Sequence, residues 1–151
     1  MLTKIKIEKS SKQQMSEVAR VFKASRQNAM PFLPEIHTSD EDADYFTNVV
    51  FAENHVYVAI ELKSERIIGF IAFRDEWVNH LYILPQFQKF GLGSKLLALA
   101  KQHAQSLELW TFQKNLVAQC FYEKHGFIVI KRTDGTGNEE KEPDVLLRWK
   151  K

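Results

Sequence analysis

The sequence predicts an α/β protein built on a mixed, mostly antiparallel sheet with helices flanking it. Three observations point there. β-rich runs recur at 55–61, 66–73, 77–84 and 107–112, and helical periodicity marks the segments after residues 14, 38, 94 and 115. The run at 77–84 also passes through a glycine-bearing loop into a helix and back to a strand, a β-loop-α-β unit. With 151 residues, 44% hydrophobic and 26% charged, the chain suits a single domain spanning 3–151 rather than a disordered one.

Residues 5–8 alternate apolar and charged side chains after Lys4, a short strand that Ser10-Ser11-Lys12 interrupts. Met15, Val18, Ala19, Phe22 and Ala24 then follow one helical face to about Asn28, before Pro31 and Pro34. Thr38 with Glu41 has the spacing of a capping box, so a second helix is expected through Tyr45, Phe46, Val49 and Val50. The next two runs, separated by Leu62-Lys63-Ser64-Glu65, form a hairpin. Pro85 ends the run at 77–84, because proline lacks a ladder donor. After the glycine loop, Leu96, Leu97, Ala100 and Ala104 share a helix face, and 107–112 returns to strand. Asn115 is placed to cap a helix over 116–125, and Gly126 to end it in the left-handed conformation. Strands at 127–130 and 145–149 flank the turn cluster at 134–138.

Composition excludes several function classes. Twenty-one basic against nineteen acidic residues give a formal charge of +2, too balanced for a nucleic-acid footprint or a polybasic membrane anchor. The single cysteine, Cys120, has no disulfide partner, and as a lone helical cysteine it reads as a small core residue. No apolar run reaches the ~20 residues of a membrane span, and the start MLTKIKIEKSSK lacks a signal-peptide core. A soluble, cytoplasmic protein is expected. His37, His55, His103 and His125 share no metal-ligand spacing with one another or with Cys120, so no metal is expected.

The stretch Pro85-Gln86-Phe87-Gln88-Lys89-Phe90-Gly91-Leu92-Gly93-Ser94 places free backbone N–H groups at the positive end of the following helix, a geometry suited to an anion. Gly91 and Gly93 allow a tight turn and close approach to the backbone, while Lys89 adds exposed positive charge. By themselves two glycines also serve a purely structural turn. No third glycine completes a dinucleotide fingerprint, and no G-K-[ST] ends a P-loop.

In this context Gln88, Gly91 and Gly93 resemble the Q/R-x-x-G-x-G/A motif of the GNAT superfamily of N-acetyltransferases. Leu81-Tyr82-Ile83-Leu84-Pro85 before it and Leu96-Leu97 after it match that family's flanking strand and helix. The resemblance implies that backbone from Gln88 through Lys89, Phe90, Gly91, Leu92, Gly93 and Ser94 wraps the pyrophosphate of acetyl-CoA. It also implies that the 81–83 strand, chiefly through Leu81 and Ile83 main-chain groups, holds the acetyl carbonyl and pantetheine arm as an added strand would.

The block from Asn115 to Phe127 is similar to the family's N-x-x-A-x-x-x-Y-x-x-x-G-F pattern. Asn115 is either a helix cap, a contact to the pantetheine arm, or both. Tyr122 beside Phe121 reads in isolation as a core tyrosine. Within the whole pattern it resembles the residue whose hydroxyl faces the CoA sulfur. A phenol with pKa about 10 stays protonated at neutral pH, and full transfer to a thiolate of pKa about 8.5 is uphill by roughly 2 kcal/mol. Hydrogen bonding to the departing thiolate is the expected role.

The acceptor amine must also lose a proton, which costs a lysine-like amine about 4.6 kcal/mol at pH 7. The family's usual base positions fall on Trp77 and Asn79, neither a base. Asp75, Glu76 and His80 are neighbours, with 76 and 80 on the opposite strand face unless a bulge intervenes. An ordered water held by backbone or by Asn79 is preferred. Phe32, Trp77 and Asn79 are the expected substrate contacts, and Tyr45 and Phe46 are aromatics that serve either an acceptor pocket or the core. Glu139, Glu140, Glu142 and Asp144 either draw a cationic amine to the rim or are simply solvated. The function expected is acetyl transfer from acetyl-CoA to a primary amine by direct attack, in a monomer or homodimer without nucleic-acid or membrane partners. The alternative is a noncatalytic acyl-CoA-binding regulatory module.

Overall fold

A computed structural model describes residues 3–151. Its seven strands are β1 (Ile5–Lys9), β2 (His55–Glu61), β3 (Arg66–Arg74), β4 (Trp77–Ile83), β5 (Ser106–Phe112), β6 (Ile128–Arg132) and β7 (Asp144–Lys150). They form one sheet in the order β1-β2-β3-β4-β5-β7-β6. Every neighbouring pair is antiparallel except β4 with β5. That pair meets at one register position, Trp77 opposite Glu108, where the Glu108 N–H donates to the Glu76 carbonyl at 2.7 Å. Beyond it no further ladder pair forms, so the sheet opens into a cleft toward the C-terminal ends of both strands.

Helix α1 (Met15–Ala29) buries Met15, Val18, Ala19 and Val21 against the sheet and stops before Pro31. The Thr38 capping box forms as its spacing predicts: Glu41 N–H donates to Thr38 Oγ1 at 3.1 Å, and Thr38 N–H donates to Glu41 Oε1 at 2.8 Å. The helix it starts is longer and less regular than the predicted 39–50. It comprises α2 (Ser39–Tyr45), a π-helical turn at Phe46–Val50 and α3 (Phe51–Glu53). Phe46 and Val50 are the buried residues of that wide turn, and the Phe46 ring meets Phe70 of β3 edge-on at 5.6 Å. Phe46 is thus a core aromatic, whereas Tyr45 stays half-exposed.

On the opposite face lie α4 (Leu92–Gln102) and α5 (Leu116–Lys124). Leu96, Leu97 and Ala100 of α4 pack with Leu107, Leu109, Leu147, Tyr122 and Phe127 in one core. Helix α4 starts inside the predicted loop, at Leu92, and ends before Ala104. Cys120 overturns its sequence reading. It lies on the solvent side of α5 and is exposed, because the buried side of this short helix is taken by Tyr122.

The two faces are covered unequally. Helices α1 to α3 lie over β2, β3 and β4 only, whereas the face of β5, β7 and β6 on that side carries no helix among the described residues. Trp110 (44% exposed) and Ile128 (63%) remain open there. Part of that bare face is neutralised by a cross-strand ion pair, with Arg148 Nε donating to Glu108 Oε1 at 2.7 Å.

Candidate active site

The free edge of β4 forms one wall of the cleft. Leu84 N–H donates to the Ile68 carbonyl in β3 at 2.8 Å. Antiparallel alternation then turns the backbone groups of Tyr82 and His80 toward β3, and those of Leu81 and Ile83 toward the cleft. Of the strand residues expected at the cofactor, Leu81 and Ile83 therefore turn their main-chain groups toward the cleft, where the Ile83 carbonyl is taken by the Gln88 side chain and the Leu81 groups stay open. Tyr82 has its main chain committed to β3, and its ring meets Phe22 of α1 edge-on at 5.2 Å.

The loop expected to hold the pyrophosphate resolves into two parts. Pro85–Phe90 forms 3₁₀ turns, anchored by Phe87 N–H to the Leu84 carbonyl at 2.9 Å and by Gln88 Nε2 to the Ile83 carbonyl at 3.1 Å. Gln88 thus pins the loop with its side chain. Gly91, at φ +71°, makes the left-handed turn into α4, where a side chain would be strained. Lys95 N–H is the first to find an intrahelical acceptor, the Gly91 carbonyl, which leaves the N–H groups of Leu92, Gly93 and Ser94 as the open donors of the first turn.

Gly93 serves a purpose its motif did not disclose. A Cβ there would stand 3.0 Å from the Phe121 ring of α5, so the missing side chain lets the two helices touch. The same junction is tied by Ser94 Oγ to His125 Nε2 at 2.7 Å and by His125 Nδ1 to the Phe121 carbonyl at 2.8 Å. Because the carbonyl can only accept, Nδ1 carries the proton, and in the neutral imidazole Nε2 accepts from the serine hydroxyl.

Asn115 caps α5, its Oδ1 accepting from Ala118 N–H at 3.2 Å, and Gly126 closes the helix at φ +89°. Both are as the sequence predicts. Tyr122 is 8% exposed, with its ring against Phe121 and Phe127. Burial, with a smaller contribution from Tyr82, pushes its pKa well above the usual phenol value. Among the described residues its hydroxyl makes no hydrogen bond. Tyr122 lines a cavity of about 90 Å³ together with Asn115, Leu81 and Asn79.

That cavity passes through the sheet. Met30, beyond the end of α1, lines it on one side, and Ala118 and Tyr122 of α5 line it on the other. A β-bulge shapes its β4 wall: Phe73 pairs with Val78 and Ala72 with His80, leaving Asn79 as the extra residue. Val78 consequently joins the α4-side core, while His80 turns toward α1 and sits among Phe22, Phe46 and Phe70 at ring distances of 5.6, 5.1 and 6.3 Å. Burial lowers the His80 pKa to about 4, so the imidazole is neutral at pH 7. Asn79 Nδ2 donates to Asn54 Oδ1 at 2.8 Å, which fixes the bulge to the start of β2.

Residues 52–129, just over half of the chain, match the family described as Acetyltransferase (GNAT) domain. The chain belongs to this GNAT acetyltransferase family. An uncharacterized N-acetyltransferase of Archaeoglobus fulgidus is 24% identical over 89% of this chain and 100% of its own length. The apo form of Escherichia coli YjaB, solved in solution, superposes with a TM-score of 0.78 at 23% identity, covering 99% of this chain and 98% of that one. PaiA N-acetyltransferase from Thermoplasma acidophilum, solved with coenzyme A, gives 0.74 at 20% identity over 98% and 99% of the two chains. Membership makes the protein an acetyl-CoA-dependent acyltransferase, on the GNAT fold.

The residues expected to contact the acceptor are distributed over the cleft and its base. Asn79 reaches the cavity, but Trp77 does not. It sits at the closed base of the cleft, where β4 and β5 meet. Phe32 is partly exposed outside the cavity lining, under Lys114, whose Nζ is 5.3 Å from the ring centroid. The acidic turn is neither free nor merely solvated. Glu139 pairs with His37, Glu140 with Arg26 at 2.8 Å, and Glu142 with Lys114 at 3.0 Å, while Asp144 accepts from Thr133 and Asn138. Together these pairs strap the β6–β7 loop to α1, to the loop after it and to the β5–α5 loop. The β5 residues Trp110, Thr111 and Phe112 line both the cavity and a larger groove of about 760 Å³ under that strap. Nothing in the spacing of Arg26 and Glu140 signals their pairing. Among the described residues no group of three or more His, Cys, Asp or Glu side chains is arranged to hold a metal, and no helix is long and apolar enough to cross a membrane.

Proposed function

We propose that the protein moves an acetyl group from acetyl-CoA to a primary amine by direct attack, with Tyr122 as the group that stabilises the departing thiolate. The observation that carries this reading is the shared cavity. Tyr122, the Asn115 cap and the free edge of β4 at Leu81 all border one passage through the sheet. The pantetheine arm lies along Leu81 and Ile83, and the pyrophosphate meets the open N–H groups of Leu92, Gly93 and Ser94.

In the reaction the amine nitrogen bonds to the thioester carbon, and the carbonyl oxygen becomes an oxyanion facing the Leu81 N–H. Collapse breaks the C–S bond and leaves a thiolate beside Tyr122. The raised phenol pKa makes full proton transfer less favourable than the solution values imply, so Tyr122 acts as a hydrogen-bond donor to sulfur. His80, with its pKa lowered to about 4, is a weaker base than an ordinary imidazole, and the amine proton leaves through water at the Asn79 bulge.

Thiol release from acetyl-CoA, followed across polyamines, amino acids, aminoglycosides and lysine peptides, tests the proposal. Release with at least one amine is expected. Tight CoA binding with no release on any acceptor would favour a noncatalytic module instead.

A further inference from the structure

A bound CoA extends in a known chemical order: thiol, pantetheine, pyrophosphate, adenosine. With the sulfur at Tyr122 and the pyrophosphate at the first turn of α4, the adenosine continues outward past that turn. On the α5 side the way is occupied by the Ser94, His125 and Phe121 hydrogen bonds. The other side is the Pro85–Phe90 loop, and it ends in a ring open to solvent.

Phe90 is 43% exposed, although it is a large apolar side chain next to a phosphate-binding turn. Its ring lies 6.2 Å from that of Phe87, and Phe87 is rooted in the core shared by the sheet and α4. The backbone beneath is fixed by the Phe87 N–H and Gln88 side-chain bonds. No side chain or backbone from elsewhere in the fold comes within 4 Å of where a Gly91 Cβ would stand, so only its chain neighbours border that point. We propose that Phe90, buttressed by Phe87, is the stacking platform for the adenine of CoA. This rests on the cofactor placement given above, and it adds a recognition element for the end of the molecule farthest from the chemistry. Stacking of a base on an aromatic side chain suits the site because the phosphates fix only the middle of the cofactor.

Calorimetric titration of wild type, Phe90→Ala and Phe90→Trp with CoA and with 4′-phosphopantetheine, which lacks adenosine, tests the assignment. Phe90→Ala is expected to weaken CoA binding about 5- to 100-fold and to leave phosphopantetheine binding within about twofold. Phe90→Trp is expected to retain CoA affinity, with its added indole emission quenched by CoA and not by phosphopantetheine. Unchanged CoA affinity in Phe90→Ala, or equal weakening of both ligands, would overturn the platform. If wild type bound neither ligand, the cofactor placement itself would fall, and the stacking with it.

Discussion

The proposed cofactor side and the proposed acceptor side of the cleft are built on different principles. The first is assembled from backbone groups in two continuous stretches, 81–94 and 115–126, each shaped by local rules of strand, turn and cap. The second is assembled from side chains far apart in the chain: Met30 after α1, Trp110 to Phe112 on β5, and the ion pairs joining Arg26, His37 and Lys114 to Glu140, Glu139 and Glu142. A backbone site tolerates change in most of its side chains, whereas a side-chain site changes with every substitution. The difference teaches that substitutions bear more directly on the second side than on the first.

The largest expected effect tests the junction of the two sides. Tyr122→Phe removes the hydroxyl from the cavity and should lower kcat by about 10²- to 10⁴-fold while CoA affinity, measured by titration, changes little. An unchanged kcat would remove Tyr122 from the chemistry and leave it a core residue.

Next is the contact of α4 with α5 on the cofactor side. Gly93→Ala drives a Cβ into the Phe121 ring and should cost roughly 1–3 kcal/mol in a denaturation experiment. Adding Phe121→Leu should recover much of that loss. If the double variant were no more stable than Gly93→Ala alone, the glycine would not be there for packing.

A smaller effect, confined to the acceptor side, is expected from Arg26→Ala. The pair with Glu140 is 18% and 21% exposed, between the surface and buried limits, so its rupture should cost roughly 1–2 kcal/mol. Steady-state kinetics should show a raised KM for the amine and an unchanged KM for acetyl-CoA. A matching rise in both constants would mean that the two sides are not separable.

The smallest is a pH effect at His80. Its pKa falls from 6.5 to about 4 on folding, so between those values the unfolded chain binds more protons and stability declines as pH is lowered. Melting temperatures measured across that window should fall less steeply in His80→Phe than in wild type.

Local pattern made the helix caps and the proposed cofactor side legible. The Thr38 box, the Asn115 cap and the Gly126 terminus each depend on residues within a few positions, and each formed as its spacing predicts. The strand and helix succession around Gly91 was equally readable. Cys120 was misread because helical periodicity does not say which face of a nine-residue helix meets the core. Trp77, expected among the substrate contacts, stands where β4 and β5 meet, beyond a bulge at Asn79 that inserts a residue spacing does not register.

By itself, then, the order of residues determined the donor half of this protein, because hydrogen-bonding caps, a left-handed glycine and strand alternation act over distances of a few residues. Only the tertiary structure decided the acceptor half. There, Arg26 meets Glu140 across 114 positions of sequence and His80 turns inward at a bulge. Those contacts arise from how the sheet parts and the β6–β7 loop folds back, and short-range pattern carries no record of either.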